Sequence, residues 1–218
     1  MDSILLPPKT IIQDINRYII GETSFSSSTM EDRFLTQLSW VWTEVKVVDD
    51  EEKKVKFISR YVSQEAYNHM KEVMWKNKGI TDDIDFFIQA SEHYWNSELR
   101  HEHVVPRQIF KNTLKYYRKI YNEHPEEINI EKLEILLEEK FFACILTKDE
   151  NSRLDKENKY YPIEGAIINE EMDPWLRYRR FNKSQKIEEN KIIIKEFEFN
   201  LKEKNRWKPE VVRDVDLN

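Results

Sequence analysis

Glycine is scarce in this chain, and that scarcity limits the folds open to it. Only three of the 218 residues are glycine. Tight turns between neighbouring strands commonly need glycine, because its backbone adopts positive φ without a steric penalty. The chain is therefore poorly suited to the many tight turns of an all-β protein. Together with enough apolar and aromatic residues for a packed core, this predicts a mainly α-helical protein with a small β element, an α+β fold.

Apolar residues recur at helical spacing in most of the chain. The expected helices are a stretch with Ile11, Ile15 and Ile19, a segment from about Thr29 to Trp42, residues 63–77, 82–97 and 131–140, and a helix that Pro106 starts and Pro125 interrupts. Strand patterns are fewer. Residues 141–147 and 192–201 are expected to be strands, and residues 45–58 fit either a hairpin or a bent helix.

Four regions follow from these patterns. Residues 1–30 form an N-terminal segment and linker, residues 31–97 a helical region, residues 98–185 the region expected to hold the chemistry, and residues 186–218 a C-terminal strand and tail. No internal repeat is apparent.

The bulk composition excludes some classes of protein. The single cysteine, Cys144, rules out an internal disulfide or a cysteine-rich zinc site within one chain. No apolar run approaches the roughly 18 residues of a membrane span, and the first residues do not resemble a signal peptide. A cytoplasmic protein with no membrane partner is expected. The net charge of −6 gives no general support for nucleic-acid binding, although a local basic patch would suffice.

The run from Glu98 to Arg107 is the most suggestive segment for chemistry. Glu102 directly precedes His103, two valines follow, and Pro106 ends the run. This order suits a histidine on a short strand beside a carboxylate. Side chains of neighbouring strand residues point to opposite faces, so a bend would be needed to bring both groups to one phosphate. Histidine accepts a proton near neutral pH, and a carboxylate is a suitable ligand for a hard divalent cation.

Glu-His-Val-Val-Pro resembles the first half of the HNH, or ββα-metal, nuclease motif. The second half in that family is a strand leading into a helix with an Asn or His ligand, often written Leu-Cys-x-x-Cys-Asn-x-x-Leu. Residues 146–154 match this pattern at Leu146, Asn151 and Leu154, whereas Thr147 and Glu150 replace the cysteines. The resemblance is thus to a diverged member without a zinc knuckle, with a ββα-like site inserted among helices.

The resemblance implies a residue role at each matching position. His103 would be the general base, and Glu102 and Asn151 would hold one Mg²⁺ or Mn²⁺ ion. The implied activity is divalent-metal-dependent cleavage of DNA, with RNA as the alternative substrate, in a restriction or phage-defence role. Two predicted helices would lie between the two strands.

Basic residues near these motifs are candidates for phosphate contact. Arg100 and Arg107 flank the histidine run, and residues 175–183 interleave aromatic and basic side chains. The candidates in that second stretch are Arg177, Arg179, Arg180 and Lys183. A buried aromatic stripe would place Arg177 and Arg180 together on the opposite face of a helix. The plain alternative for each arginine is a surface ion pair.

Two other functions remain open from the sequence. One is a non-catalytic module that binds nucleic acid through residues 175–183. The other is a protein-interaction module, for which the acidic balance and many aromatics would serve an interface. A homo-oligomer is compatible with each of these functions.

Overall fold

The computed structural model describes residues 9–43, 47–48, 54–55, 59–78, 98–155, 165–202 and 206–217. Within these ranges the helices are α1 Lys9–Ile19, α2 Ser28–Thr43, α3 Gln64–Lys78, α4 Arg107–Glu123, α5 Ile130–Lys140, α6 Lys148–Asp155 and α7 Leu176–Ser184. Short 3₁₀ turns at Pro125–Glu127 and Glu188–Asn190 complete the helical elements of the described ranges.

The strands form a hairpin-like pair and a mixed sheet. In chain order they are β1 Val47–Val48, β2 Lys54–Val55, β3 Tyr61–Ser63, β4 Leu99–His103, β5 Ala143–Thr147, β6 Ile194–Lys202 and β7 Arg206–Asp214. β1 pairs antiparallel with β2. The other five strands have the order β4-β5-β3-β6-β7, in which the β3–β5 pair is parallel and the other pairs are antiparallel.

The predicted fold class is confirmed, since the structure is mainly helical with one small sheet. Where residues 45–58 are described they form paired strands, which favours the hairpin over the bent helix. The helix expected at 82–97 lies outside the described residues. No helix in the described ranges combines the length and apolar character needed to cross a membrane.

The helical side of the molecule holds the larger apolar core. Ile11, Ile15 and Ile19 of α1 are buried there, as the isoleucine spacing predicts. They pack with buried residues of α2, α4 and α5, including Leu35, Leu38, Phe110, Leu114, Leu133 and Leu137. Burying one such side chain contributes roughly 1.5–3 kcal/mol. This core fixes α2 and α4 beside one end of β4.

The sheet has two distinct faces next to β4. Paired residues of an antiparallel ladder share a face, and Glu102 pairs with Cys144 while His103 pairs with Ala143. Cys144 and Leu146 pack with Leu154 of α6 and Tyr178 of α7. Glu102 therefore lies on the face covered by α6 and α7. His101 and His103 lie on the opposite face, toward α2.

The chain also forms the predicted order of strand, strand and helix. β4 lies antiparallel to β5, and β5 runs directly into α6, which contacts both strands. Thr147 and Glu150 form a capping box at this junction. The Glu150 carboxylate accepts hydrogen bonds from the Thr147 amide at 2.9 Å and from Ser63 of β3 at 2.5 Å. Glu150 thus ties α6 to two strands.

Replacing Glu150 with glutamine is expected to change how stability depends on pH. Burial raises the pKa of Glu150 from 4.5 to about 7, so folding favours its protonated form. Its stabilising contribution is complete below pH 4.5 and is lost as pH rises through 7. The loss is about 3 kcal/mol at most, given 1.36 kcal/mol per pKa unit.

Urea unfolding of the wild type and Glu150→Gln between pH 4 and 8 measures this difference. The free energy of unfolding of the wild type should fall relative to that of the variant as pH rises. Taking the difference cancels the opposite contribution of the buried histidines, which both proteins share. Parallel curves would show that folding does not shift the titration of Glu150.

Candidate functional site

A cleft of about 460 Å³ lies where α2, the end of β4 and the start of α4 meet. Its lining combines an aromatic ring, two histidines and three cationic side chains. The ten lining residues are Thr36, Trp40, His101, Glu102, His103, Pro106, Arg107, Gln108, Lys111 and Arg177. The size is within the usual range for pockets that bind small molecules. Four of the predicted site residues, Glu102, His103, Arg107 and Arg177, line this cleft.

His103 lines this cleft and is fixed by α2. Its side chain is largely buried, at 5% exposure. Nε2 lies 3.3 Å from the Ser39 carbonyl oxygen and 3.3 Å from the Thr43 hydroxyl. The ring meets Trp40 edge-on at 4.8 Å between centroids. These contacts hold the imidazole ring in a single orientation.

The surroundings also determine the charge and tautomer of His103. Burial lowers its pKa well below 6.5, and the nearby His101, Arg107 and Arg177 lower it further. The imidazole is therefore neutral near pH 7. A carbonyl oxygen only accepts hydrogen bonds, so Nε2 must carry the proton and donate to Ser39. Nδ1 is then the ring nitrogen that can accept a proton.

His101 lies two residues before His103 on the same face. Burial lowers the pKa of His101 to about 4, and a hydrogen bond to the Thr43 backbone opposes this only in part. Its ring stacks on Trp40 with centroids 6.0 Å apart. His101 is therefore neutral near pH 7. Its ring forms part of the cleft wall and packs against Trp40.

Two cations extend from the first two turns of α4. The Arg107 guanidinium lies over the Trp40 ring, 4.7 Å from its centroid, a distance at which cation–π attraction is significant. Lys111 follows one turn later, and its ammonium is 2.9 Å from Asp32 of α2. The Lys111 side chain is 12% exposed and forms part of the cleft lining.

The N-terminus of α4 adds to the positive potential. This helix has 17 residues, its first turn contains no acidic residue, and its N-cap residue Pro106 provides no side-chain cap. Amide groups at the start of a helix favour anions, because the helix dipole places partial positive charge there. The dipole and the cations Arg107 and Lys111 favour the same kind of ligand, an anion such as phosphate.

Arg177 of α7 closes the cleft from the other face of the sheet. Its side chain is only 7% exposed, and Nη2 donates to the Glu102 carboxylate and, at 3.1 Å, to the His103 carbonyl. Arg177 therefore holds the end of β4 in place, and it is also one of the residues that line the cleft. Its contact with Glu102 engages the one carboxylate among the ten lining residues.

These contacts do not fit the divalent-ion site that the HNH resemblance implies. Glu102 is engaged by Arg177 and lies on the α6 face, whereas the His103 ring lies on the α2 face. Asn151 belongs to α6, whose Leu154 packs on the Glu102 face. β4 keeps its antiparallel pairing with β5 through His103, so Glu102 and His103 remain on opposite faces of the sheet.

Another group of potential metal ligands lies at the far end of α4. The ligand atoms of His124, Glu126 and Glu127 lie within 4.8 Å of one another. All three side chains are exposed, and none of them was a predicted site residue. Exposed acidic groups commonly cluster without binding an ion, so we assign this group no function.

The other predicted contact residues lie outside the cleft lining. Arg100 donates to the Leu99 carbonyl at 2.7 Å, and Arg179 pairs with Asp173 at 2.9 Å. Arg180 and Lys183 are exposed on α7. Arg177 is buried, so the expectation that it shares an exposed face with Arg180 is wrong.

The sequence interpretation missed Trp40 and Lys111 as parts of the site, and it considered His101 as a ligand or phosphate contact without selecting it. Lys111 had a detectable signal, because it lies four residues after Arg107 on a predicted helix and so shares its face. Trp40 had no such signal in the sequence, because its ring contacts with β4 depend on how α2 packs.

Comparison of this chain with protein-family models, curated proteins and solved structures gave no match.

Proposed function

We propose that the protein is a nuclease that binds the nucleic-acid backbone in this cleft, with His103 as the proton acceptor. One observation supports the proposal above all: Arg107, Lys111 and Arg177 converge on one cleft with a neutral histidine. Glu102 and Asp32 offset two of these three positive charges, so the cleft keeps a net positive charge although the whole chain is acidic. A phosphodiester matches both the charge and the size of such a site.

The neutral state of His103 suits a base. A protonated imidazole cannot accept a proton, and the low pKa keeps Nδ1 unprotonated at neutral pH. Bound phosphate would offset the positive charges that now lower this pKa. The basicity of His103 therefore rises when substrate is present, which is when a base is needed.

Binding without cleavage is the second candidate function. The low exposure of His103 favours it, because a substrate must reach deep into the cleft to meet the ring. Binding and cleavage have to be measured separately for this reason.

Replacing Arg107 with glutamine is expected to weaken binding of a labelled oligonucleotide. The change removes one cleft cation and its contact with Trp40. The slope of log affinity against log salt should become shallower by about one, as expected for one lost phosphate contact. Fluorescence anisotropy at several salt concentrations measures both quantities.

Lys119→Gln is the matched control. Lys119 is exposed on the same helix, three turns beyond Arg107, and the substitution also removes one positive charge. It should leave affinity and salt slope close to those of the wild type. Equal losses in the two variants would place binding outside the cleft.

A further inference from the structure

The lining of the cleft bears on which nucleophile attacks the phosphate, an inference that rests on the proposed nuclease function. Water attacks phosphodiesters readily when a bound metal ion lowers its pKa. Here the one lining carboxylate is engaged by Arg177, and three cations and the start of α4 surround the cleft. This lining attracts an anion and repels a divalent cation.

We propose that the substrate is RNA, and that its own 2′-hydroxyl attacks the adjacent phosphate while His103 accepts the proton. The 2′-hydroxyl is already placed beside the phosphorus, so no water molecule has to be activated. Such intramolecular placement can equal effective concentrations of about 10⁵–10⁸ M. DNA lacks this group, and the 2′-hydroxyl is the feature by which a protein distinguishes RNA from DNA.

The step balances without a metal ion or a redox partner. Nδ1 of His103 takes the proton of the 2′-hydroxyl as the bond between O2′ and phosphorus forms. The bond between phosphorus and O5′ breaks, and the departing O5′ takes a proton from water. The imidazolium then returns its proton to the resulting hydroxide. The products are a 2′,3′-cyclic phosphate and a free 5′-hydroxyl.

Three side chains offset the charge that develops on the phosphate. Arg107 and Lys111 approach from α4, and Arg177 approaches from α7. Arg177 is held by Glu102 and by the His103 carbonyl, so its position relative to the base is fixed. Donors fixed before the reaction stabilise developing charge without a cost of reorganisation.

The burial of His103 also restricts which form of RNA can reach it. Its side chain is 5% exposed at the wall of a cleft of about 460 Å³. The backbone of a regular duplex cannot bring a phosphate and its neighbouring sugar to that depth. A single strand or an unpaired loop can, because its nucleotides are free to turn into the cleft. Single-stranded RNA is thus the expected form.

The test uses three single-stranded oligonucleotides of one sequence: all RNA, all DNA, and DNA with one ribonucleotide. Each is incubated with the full-length protein in EDTA and, separately, in Mg²⁺. Mass spectrometry identifies the ends of the products. We expect cleavage of the RNA in EDTA, cleavage of the mixed strand only after its ribonucleotide, and 2′,3′-cyclic phosphate ends. His103→Gln should abolish these products, which excludes a contaminating ribonuclease.

Each other outcome overturns a defined part of the proposal. Cleavage of all three strands, or 3′-hydroxyl ends, would overturn the role of the 2′-hydroxyl while the nuclease function stands. RNA cleavage that stops in EDTA would overturn the metal-free step alone. Binding without cleavage of any strand, or neither binding nor cleavage, would overturn this inference and the nuclease function together.

Discussion

Replacing His103 with glutamine is expected to slow nucleic-acid cleavage by at least about a hundredfold, the usual cost of losing a general base. Glutamine keeps an N–H group that can donate to the Ser39 carbonyl, but it has no nitrogen that accepts a proton. The cations of the cleft are untouched, so affinity for an oligonucleotide should change little. Single-turnover rates and anisotropy, measured on the same preparation, separate the two effects.

His124→Gln is the control for this variant. His124 is an exposed histidine that caps the C-terminal end of α4, at the opposite end of that helix from the cleft. Its loss should leave the rate of cleavage unchanged. If His103→Gln cleaves at the wild-type rate, His103 has no part in the reaction. A parallel loss of rate and binding would instead indicate that the cleft has collapsed.

The helices α1 to α5 were predictable because their signals are local. The isoleucines of α1 recur at helical spacing, and Pro106 has no amide proton to lose at the start of α4. The strand expected at 141–147 is β5, whose burial on both faces matches its run of apolar residues. Each of these predictions needs only a window of adjacent residues.

Two strands were not predicted, because their evidence is not local. β3 has only three residues and gains its place by pairing with β5 and β6. β7 contains Pro209, which argues against a strand, since proline cannot donate to a ladder. β7 lies at the edge of the sheet, where proline is tolerated. Tertiary position thus overrides the local signal.

The candidate site was predictable in its residue types but not in its arrangement. Alternation along β4 already separates Glu102 from His103, and this much follows from sequence. The partner that each side chain contacts does not follow from the sequence. Arg177 is 75 residues away from Glu102, and Thr43 of α2 lies 60 residues before His103. The resemblance to a ββα motif predicted the order of elements correctly and assigned Glu102 to a metal ion, whereas an arginine engages it.

Replacing Arg177 with methionine is expected to destabilise the protein by about 3–5 kcal/mol. Methionine fills much of the same space but leaves the largely buried Glu102 carboxylate without its cation, and it removes the donor to the His103 carbonyl. Most domains are stable by only about 5–15 kcal/mol, so the loss is a large part of the total. Urea unfolding measures it, and a loss below about 1 kcal/mol would contradict the structural role of this pair.

A double variant separates the effect of Arg177 on stability from its effect on cleavage. Arg177→Met with Glu102→Leu removes both charges, and replacing a buried pair by apolar residues is often neutral or stabilising. It should therefore recover most of the stability that Arg177→Met loses. The cleft would still lack its third cation, so cleavage should stay at least about tenfold below the wild type, for roughly 1.4 kcal/mol of lost charge stabilisation. A double variant that recovers both stability and full activity would confine Arg177 to holding β4, and Arg107 and Lys111 would then hold the phosphate alone.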